Sequence, residues 1–518
     1  MAKKIIKAEE AVRLVQSGMT LAVSSFLAYG LPETLCKALG RRFEETGEPR
    51  DLTLFYSSPV GIPDGSGCDH FAHEGMLRRV VAGHWNLHPA LAEMAMKGSF
   101  EAYNLPQGVL SRMTRELAAH GPGVITHVGL NTFVDPRMGG GRLNNRTNED
   151  LVEVITLGGR EWLHYHPIPL NVVFIRGTVA DERGNISVEE EGLGIDVTAI
   201  AQAVHNNGGK VIVQVGRIVP AGTLDPWKVK VPGVLVDALV LPEGEEDQVQ
   251  NRALPFDPSI TSAARTPQDV DAPVPLDNRK IIARRAAMEL RNGIAANLGI
   301  GMPEYVAKVA REEGFTDVMT LSVESGATGG TPRSGSAFGA NTNVEAILDQ
   351  PSQFDFYDGG GLDQTYLGLA QADESGNVNV SLFSGRLAGC GGFIDIAQNA
   401  HKVTFCGTFT AGGLKTATGD GKLTILQEGK NKKFLRSVDQ VTFSARYAVE
   451  TGQPVLFITE RAVFTLDQRG LVLIEIAPGV DLEHDVLAQM EFRPVVADDL
   501  KLMNERIFRD EPMGLVIK

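Results

Sequence analysis

Two stretches of the chain repeat each other in the same order, and this internal duplication limits the folds available to it. The segment "VADERGNISV" at 179–188 matches "QADESGNVNV" at 371–380, and "IAQAVHN" at 200–206 matches "IAQNAHK" at 396–402. The second pair is followed by a short apolar segment typical of a strand, "KVIVQV" or "KVTFCG". Blocks that recur in order over such distances indicate duplication of a whole domain rather than a short solenoid repeat.

A further pair of blocks extends the duplication toward the start of each half. Residues 10–39 parallel residues 283–310, and each block is predicted to begin with an amphipathic helix that ends at Gly18 or Gly293. A short apolar strand and a glycine-bearing turn follow, and then Pro32 or Pro303 begins a second helix. Proline suits the first helical turn because the N–H that it lacks would have had no helical partner there.

A third pair of segments draws attention to one carboxylate. "GVITHV" at 123–128 resembles "DVMTLS" at 317–322, which places Leu130 opposite Glu324. A carboxylate that only one of two duplicated loops carries suggests a role that this copy acquired. At a strand end among glycines it could act as a base, a metal ligand or a covalent nucleophile, or it could be a solvated loop residue.

The order of predicted elements gives the fold class and the domain limits. Strands alternate with helices in both halves, which predicts an α/β protein of two duplicated, structurally related domains with mostly parallel sheets. The segment 242–278 is rich in proline and acidic residues and lacks periodicity, so it is predicted to be a linker. We therefore expect an N-terminal domain over 1–241 and a C-terminal domain over 279–518.

Glycine is unusually frequent, at 57 of 518 residues or about 11%, against a typical ~7%. Five clusters fall at predicted strand ends: 130–141, 297–303, 323–330, 357–361 and 387–393. In open α/β sheets ligands bind beyond the carboxyl ends of strands, and backbone N–H groups in such loops can hold phosphates or an oxyanion. A single cluster is also explained by a tight turn. No phosphate-binding P-loop motif is present, and "GIGMPE" lacks the third glycine of a dinucleotide fingerprint.

Charge and composition exclude several classes of function. The formal net charge of −15 disfavours wholesale binding to nucleic acid or to an anionic membrane surface. Four cysteines form neither a disulfide framework nor a CxxC pair, as expected in a reducing cytoplasm. The first residues do not have the pattern of a signal or transit peptide, and no window reaches 18 apolar residues, so no membrane span is expected.

Only one part of the sequence looks like a metal site. "CDHFAH" contains Cys68, His70 and His73, and His84 and His88 follow. Soft ligands at short spacing can hold zinc. Without a second paired-ligand motif, we interpret these residues as a polar loop with incidental histidines and expect no metal.

Four motifs in order resemble family I coenzyme A transferases. They are "NLGIGMP" at 297–303, "VESGATGG" at 323–330, the long segment 356–414 that includes "YDGGGLDQTYLGLAQADESGNVNV", and "ITERAVF" at 458–464. The resemblance is greatest to the propionate/acetate CoA-transferase subgroup, whose single chains carry both halves of the fold. It extends over nearly the whole chain and is weakest over residues 60–105 and the linker.

The resemblance implies a covalent mechanism centred on Glu324, which occupies the family's Glu-x-Gly motif. Its carboxylate would attack an acyl-CoA to give an acyl-glutamyl anhydride, and the CoA thiolate would then form a glutamyl-CoA thioester. A second short-chain carboxylate would reverse these steps. This is ping-pong transfer with coenzyme A as co-substrate, without a permanently bound cofactor or a metal.

The resemblance also assigns supporting roles to residues around the glycine loops. Asn297 and the amide of either Gly391 or Gly392 match the family's oxyanion donors, and Gln107 in "NLPQGVL" matches a Pro-Gln-Gly motif that faces the substrate carboxylate. Substrate or CoA binding is expected at four further glycines: Gly299, Gly301, Gly326 and Gly389.

Some features leave the function open at this point. The first half has "SSFLAYG" at 24–30 where relatives carry a Gly-Phe pair, and Asn131 replaces a common glycine, so the preferred acyl group stays undecided. Alternatives to transfer are a CoA-ester hydrolase on the same fold and a non-catalytic ligand-binding sensor. The family also implies a homodimer or a homotetramer.

Overall fold

The computed structural model describes residues 4–261, 263–267, 273–315 and 318–517, and these form an α/β protein. In the first half the strands are β1 Lys4–Ile5, β2 Thr20–Val23, β3 Leu52–Tyr56, β4 Leu77–Ala82, β5 Glu101–Asn104, β6 Val124–Thr126, β7 Val152–Leu157, β8 Arg160–Tyr165, β9 Val172–Asp181, β10 Ile186–Ser187, β11 Lys210–Val219, β12 Val229–Val231 and β13 Ala238–Val240. The helices of this half are α1 Ala8–Ala11, α2 Glu33–Thr46, α3 Pro89–Lys97, α4 Gln107–Ala118 and α5 Val197–Asn206.

The second half has more strands, many of them only two residues long. They are β14 Ile294–Leu298, β15 Met319–Leu321, β16 Ala327–Thr328, β17 Thr331–Pro332, β18 Asn341–Thr342, β19 Ala346–Ile347, β20 Gln364–Gly368, β21 Gln371–Asp373, β22 Val378–Asn379, β23 Leu382–Phe383, β24 Arg386–Leu387, β25 Val403–Cys406, β26 Thr410–Ala411, β27 Lys415–Gly419, β28 Lys422–Gln427, β29 Asn431–Lys432, β30 Phe434–Leu435, β31 Val455–Ile458, β32 Ala462–Asp467, β33 Gly470–Ile476 and β34 Val495–Leu502. The helices are α6 Asn278–Ala287, α7 Glu304–Glu312, α8 Gln350–Asp358, α9 Phe393–Asn399 and α10 Ala445–Thr451.

The chain forms two compact units, and the first unit also takes two segments from the second half of the sequence. The first unit contains Met1–Thr266, Val323–Phe356 and Leu387–Asp395, and the second contains Pro267–Ser322, Tyr357–Arg386 and Ile396–Lys518. The domain limits at 1–241 and 279–518 remain a prediction about which pieces fold independently.

The first unit is built on a sheet of parallel strands. Its order is β1-β13-β11-β9-β2-β3-β4-β5, with β10 and β12 beside that path, and every neighbouring pair along the path is parallel. Parallel sheets are covered on both faces, so their strands are apolar throughout rather than alternating. All ten residues of β9 and all five of β3 are buried, as this arrangement requires.

The second unit has a mixed sheet with a parallel part that mirrors the first. Its order is β15-β14-β20-β25-β31-β32-β33-β34. The strands from β15 to β31 are parallel, whereas β31, β32 and β33 pair antiparallel. The core against this sheet includes Ile281, Val306, Tyr366 and Phe508, all of which are almost completely buried. The predicted class, mostly parallel α/β, is confirmed.

Strand register supports the duplication residue by residue. Val172 of β9 pairs with Leu21 of β2, and Gln364 of β20 pairs with Ala296 of β14. Nine residues after Val172 stands the aspartate of "ADERGN", and nine residues after Gln364 stands that of "ADESGN". The two sheets therefore repeat one pattern, in which β2, β9 and β11 correspond to β14, β20 and β25.

The third sequence match is wrong. β6, in "GVITHV", belongs to a separate three-stranded antiparallel sheet with β8 and β7. In the first unit the strand that corresponds to β15 is β3, because β3 pairs with β2 as β15 pairs with β14. Thr53 and Thr320 occupy equivalent positions in these two pairs. The residue that corresponds to Glu324 is thus Ser57, not Leu130. A three-residue apolar strand carries too little information to fix a sheet position that long-range pairing decides.

The predicted positions of the prolines and glycines in the first pair of duplicated blocks are confirmed. Pro32 and Pro303 directly precede α2 and α7, and Gly18 and Gly293 have φ of 80° and 77°, a left-handed conformation that favours glycine. The four cysteines are buried and unpaired. Among the helices of the described ranges, none is long and apolar enough to cross a membrane.

Candidate active site

Glu324 lies on a tight turn that begins two residues after β15. The N–H of Gly326 donates to the carbonyl of Val323 at 3.0 Å, and the N–H of Val323 donates to the carbonyl of Ala327 at 2.9 Å. Gly326 has φ of +109°, and a Cβ there would lie 2.1 Å from the carbonyl oxygen of Leu348. Only glycine fits this position, and the backbone that carries Glu324 is consequently closely confined.

The residue after Glu324 anchors the turn from inside. Ser325 is completely buried, and its hydroxyl donates to the carbonyl of Gly339. The carbonyl of Gly326 accepts the N–H of Leu348 at 3.0 Å, next to the short ladder of β16 and β19. With Ser325 directed inward and fixed, the carboxylate of Glu324 is held at a defined place.

The loop 389–392 is held by the ends of β4 and β5. The N–H of Gly391 donates to the carbonyl of Gly83 at 2.7 Å, and the N–H of Cys390 donates to Oδ1 of Asn104 at 2.8 Å. A Cβ on Gly389, whose φ is +84°, would lie 3.0 Å from Cα of His84. Close backbone approach therefore explains the glycines of this cluster.

Glu324 lies directly beside Gly392. A Cβ on Gly392 would stand 3.6 Å from Cβ of Glu324 and 3.2 Å from the ring of Phe354. Glu324 itself keeps a partial opening to its surroundings. Burial among protein atoms disfavours the charged form and raises the pKa of its carboxyl to about 7, far above the ordinary value near 4.5. The carboxyl is thus poised between its two protonation states at neutral pH.

The backbone N–H groups near the site differ in their availability. Those of Gly299, Gly301, Gly326 and Gly391 each donate to an acceptor within their own unit. Those of Gly389 and Gly392 have no acceptor among the described residues. Of the two glycines considered as oxyanion donors, Gly392 therefore has the available N–H, whereas Gly391 shapes the loop.

Gln107, the first residue of α4, is buried against the same loop. Its N–H donates to the carbonyl of Gly391 at 3.0 Å, and its Nε2 donates to the hydroxyl of Ser58 at 3.0 Å. The hydroxyl of Ser58 also accepts Nε2 of Gln350 at 2.6 Å. Gln350 was not predicted from the sequence, since "LDQPSQ" carries no motif. It belongs to the polar lining beside the glycine loop.

Asn297, Gly299 and Gly301 lie in the second unit, at and beyond the end of β14. Asn297 is buried, and its Nδ2 donates to the carbonyl of Ser322 at 3.1 Å. Its side-chain amide has a second N–H beyond this bond. The N–H of Gly301 is bonded to Oε1 of Glu304 at 2.9 Å, which fixes the entry to α7. A role for these residues in the reaction stays a prediction.

The histidines near "CDHFAH" are occupied by other contacts. Nε2 of His70 lies 2.9 Å from Oε1 of Glu33, and Nε2 of His88 accepts the N–H of Val60 at 3.1 Å. Burial lowers the pKa of His84 to about 4 and that of His88 to about 3, so both are neutral. Burial also raises the pKa of the Cys68 thiol well above its usual range. These residues contribute to packing here.

Comparison with known proteins identifies the family. The Coenzyme A transferase family profile matches residues 5–241. The acetate CoA-transferase YdiF of Escherichia coli K12 is 46% identical over 517 residues, which cover 99% of this chain and 96% of that protein. The caffeate CoA-transferase of Acetobacterium woodii is 44% identical over 99% of this chain and 98% of its own length.

A solved structure shows the same fold over the whole chain. The acyl-CoA transferase YdiF of E. coli O157:H7, crystallised as a thioester complex with CoA, has a TM-score of 0.93 and 44% identity, covering 100% of this chain and 98% of its own. Sequence identity at this level over the full length is decisive for family membership. The chain belongs to the coenzyme A transferase family and is a CoA-transferase.

Proposed function

We propose that the enzyme exchanges coenzyme A between a short-chain acyl-CoA, such as acetyl-, propionyl- or butyryl-CoA, and a free short-chain carboxylate such as acetate, through a thioester on Glu324. The observation that carries this proposal is the Glu324 carboxyl, held on a rigid turn against Gly392 with its pKa raised to about 7. The names of the relatives, an acetate and a caffeate CoA-transferase, support an acyl-CoA and carboxylate pair.

The reaction balances without a metal, ATP or net proton transfer. A carboxylate oxygen of Glu324 attacks the acyl-CoA carbonyl, the C–S bond breaks, and CoA leaves as a thiolate. The acyl group then forms an acyl-glutamyl anhydride with Glu324. The thiolate attacks the glutamyl carbonyl and releases the first acid, leaving glutamyl-CoA. A second carboxylate attacks that thioester, and the released thiolate takes its acyl group and restores Glu324.

Burial prepares Glu324 for the first step. A carboxylate that has lost much of its hydration attacks a carbonyl more readily than one in water, and the raised pKa is the cost of that environment. Only the ionised form is a nucleophile. With a pKa of about 7, roughly half of the enzyme is active at neutral pH.

Each of the four attacks passes through a tetrahedral oxyanion that requires fixed donors. We assign this role to the N–H of Gly392, which has no acceptor among the described residues, and to the second N–H of the Asn297 amide. Losing one such donor typically costs about 3–4 kcal/mol of transition-state stabilisation. The buried amide of Gln107 is assigned to the substrate carboxylate.

The glycines at the strand ends are assigned to binding by shape rather than by hydrogen bonding. Gly299, Gly301 and Gly326 already donate their N–H groups within the protein. We assign Gly299 and Gly301 to close approach of the CoA thioester, and Gly326 and Gly389 to the tight loops that shape its binding site, since a Cβ at the last two would meet Leu348 or His84. Substitution by alanine at Gly299 or Gly301 is expected to weaken acyl-CoA binding.

Hydrolysis is the competing enzymatic outcome, because water could intercept the glutamyl thioester. The test incubates acetyl-CoA with the enzyme, with and without propionate, and measures total CoA ester and each product by liquid chromatography. Transfer predicts stoichiometric propionyl-CoA with total CoA ester conserved. Loss of CoA ester at the same rate without propionate would identify a hydrolase, and no turnover of either kind would support the sensor alternative.

The cellular and quaternary setting completes the proposal. Four buried, unpaired cysteines support a cytoplasmic enzyme, and the family supports a homodimer or a homotetramer. Light scattering coupled to size-exclusion chromatography tests the second point. A mass equal to one 55.7 kDa chain would contradict it.

A further inference from the structure

We propose that Glu153, His164 and His166 form a binding site for a divalent transition-metal ion of the zinc class. One ligand atom from each residue lies within 4.8 Å of the other two. Oε1 of Glu153 is 2.9 Å from Nδ1 of His164 and 3.3 Å from Nε2 of His166. This group lies on the β7–β8 hairpin and shares no residue with the proposed catalytic machinery.

The hairpin backbone creates the grouping. Glu153 of β7 stands directly opposite His164 of β8 in the antiparallel register, so their side chains project from the same face. His166 follows two residues later, and residues two apart on an extended chain share a face. The sequence signal is "HYH", whose carboxylate partner Glu153 lies eleven residues before His164 and on the other strand of the hairpin.

The backbone also fixes which nitrogen of His164 is available. Nε2 of His164 lies 2.8 Å from the carbonyl oxygen of Pro122. A carbonyl only accepts hydrogen bonds, so Nε2 carries the hydrogen and Nδ1 of the neutral ring presents its lone pair to Glu153. Histidines that bind metals are commonly oriented in this way by a hydrogen bond from the other ring nitrogen to a backbone carbonyl.

One carboxylate oxygen thus faces two imidazole nitrogens, an arrangement that needs positive charge between them. Protons would supply it if His164 became a cation while a neutral His166 donated its N–H to the same oxygen, with the two ring centroids 5.1 Å apart. A single divalent ion satisfies all three atoms as acceptors at once and adds no proton to either ring, and we assign the group to a metal on this ground.

The ligand set selects the kind of ion. Imidazole nitrogen with one carboxylate suits Zn²⁺, whereas Mg²⁺ prefers oxygen ligands alone. Bonds of about 2.1 Å in a tetrahedron place ligand atoms about 3.4 Å apart. The 3.3 Å pair matches this value, the 2.9 Å pair needs to open by about half an ångström, and the two histidine nitrogens lie within 4.8 Å of each other.

Access to the group is unobstructed within the first unit. The side chains of His164, His166 and Glu153 are 18%, 36% and 53% exposed. Three protein ligands leave a fourth tetrahedral position for water or another donor. Because two strands supply the ligands, the ion would cross-link the β7–β8 hairpin and stabilise it.

The test is equilibrium dialysis of the full chain, stripped with EDTA, against ZnCl₂, with metal measured by mass spectrometry. We expect one Zn²⁺ per chain, no comparable uptake of Mg²⁺, and at least a tenfold weaker affinity in His166→Asn and in Glu153→Gln. His484→Asn is the matched control, since His484 is also an exposed histidine beside a carboxylate, Asp485, and should bind Zn²⁺ as the parent chain does.

Two results would overturn the assignment. One is the absence of stoichiometric zinc, and the other is zinc that His166→Asn and Glu153→Gln both retain at unchanged affinity. Circular dichroism of the variants checks that they are folded. Transferase activity of the EDTA-stripped enzyme is expected to be unchanged, so failure of this site and failure of the proposed reaction are separate observations.

Discussion

The ends of two equivalent strands, β3 and β15, carry different chemistry. After β3 stands Ser57, whose hydroxyl donates to Oδ2 of Asp196 at 3.2 Å, and Ser24 donates to the other oxygen of the same buried carboxylate. After β15 stands Glu324, and among the described residues no such hydroxyl pair donates to its side chain. The first strand end is closed by its own hydrogen bonds, whereas the second presents a carboxylate.

The helices that follow show the complementary change. The matched segments 200–206 and 396–402 make Asp196, before α5, equivalent to Gly392, before α9. In the first copy the hydroxyl of Ser57 follows the strand and the carboxylate of Asp196 precedes the helix. In the second copy the carboxylate of Glu324 follows the strand, and the residue before the helix is a glycine without a side chain.

This exchange explains why a glycine accompanies the carboxylate. An aspartate at 392 would place a second negative charge against Glu324 and disfavour ionisation of both. It would also fill the space where a Cβ already comes within 3.2 Å of Phe354. One copy keeps a structural hydrogen-bond network, and in the proposed reaction the other presents the same position to substrate.

Glu324→Gln is expected to lower CoA transfer by at least about 10³-fold, because the amide is not a nucleophile. The measurement is kcat/KM for acetyl-CoA with propionate as acceptor. Ser57→Ala at the equivalent position of the first copy is the matched control and should keep near-parental turnover. Comparable losses in both variants would remove the distinction between the copies.

Gly392→Asp restores the residue of the first copy and is expected to lower kcat by about 10²–10³-fold. The added carboxylate repels Glu324 and displaces the N–H that we assign to the oxyanion. Gly392→Ala separates the two causes, since it adds bulk without charge and should lose less. Activity of Gly392→Asp within a few-fold of the parent would show that position 392 need not be open.

The rate of the first half-reaction is expected to rise with pH through an apparent pKa near 7. Burial raises the pKa of Glu324 to about 7, so the carboxyl is mostly protonated and inert below this value and mostly ionised above it. Between pH 5.5 and pH 8 the rate should increase by roughly 30-fold. Quenched-flow measurement of the acetate released from labelled acetyl-CoA gives this rate. A flat profile over this range would show that Glu324 is ionised throughout.

Ser57→Ala is expected to cost only about 1 kcal/mol of unfolding free energy, the usual worth of one hydrogen bond. Asp196 keeps its bond from Ser24, so its carboxylate retains a donor. Urea unfolding followed by circular dichroism measures the loss, where the chain unfolds reversibly. A loss of stability joined to a large fall in kcat would assign a catalytic role to the first copy after all.

Much of the fold was predictable because polar signatures flank the strands. "ADERGN" and "ADESGN" align β9 with β20 as equivalent strands, and the strand pairing within each sheet agrees with that alignment. The match of "GVITHV" to "DVMTLS" failed because both are short and apolar, and the pairing of β3 with β2 depends on contacts distant in sequence. Sheet position is a property of the folded chain.

The candidate site was predictable in its carboxylate but not in its hydrogen bonds. Glu324 stood out as a charge at the end of an apolar strand. The choice between Gly391 and Gly392 required the folded structure, because the carbonyl of Gly83 accepts the N–H of Gly391 and no described residue accepts that of Gly392. Gln350 carries no sequence motif and was missed.

The most direct test of the account is peptide mass spectrometry after the enzyme is mixed with acetyl-CoA and treated with borohydride, which reduces the glutamyl thioester. The account predicts a reduced adduct on Glu324 that needs acyl-CoA to form and disappears when excess acetate precedes the borohydride. An adduct on a different residue, or a Glu324→Ala variant that still transfers CoA without any adduct, would contradict it.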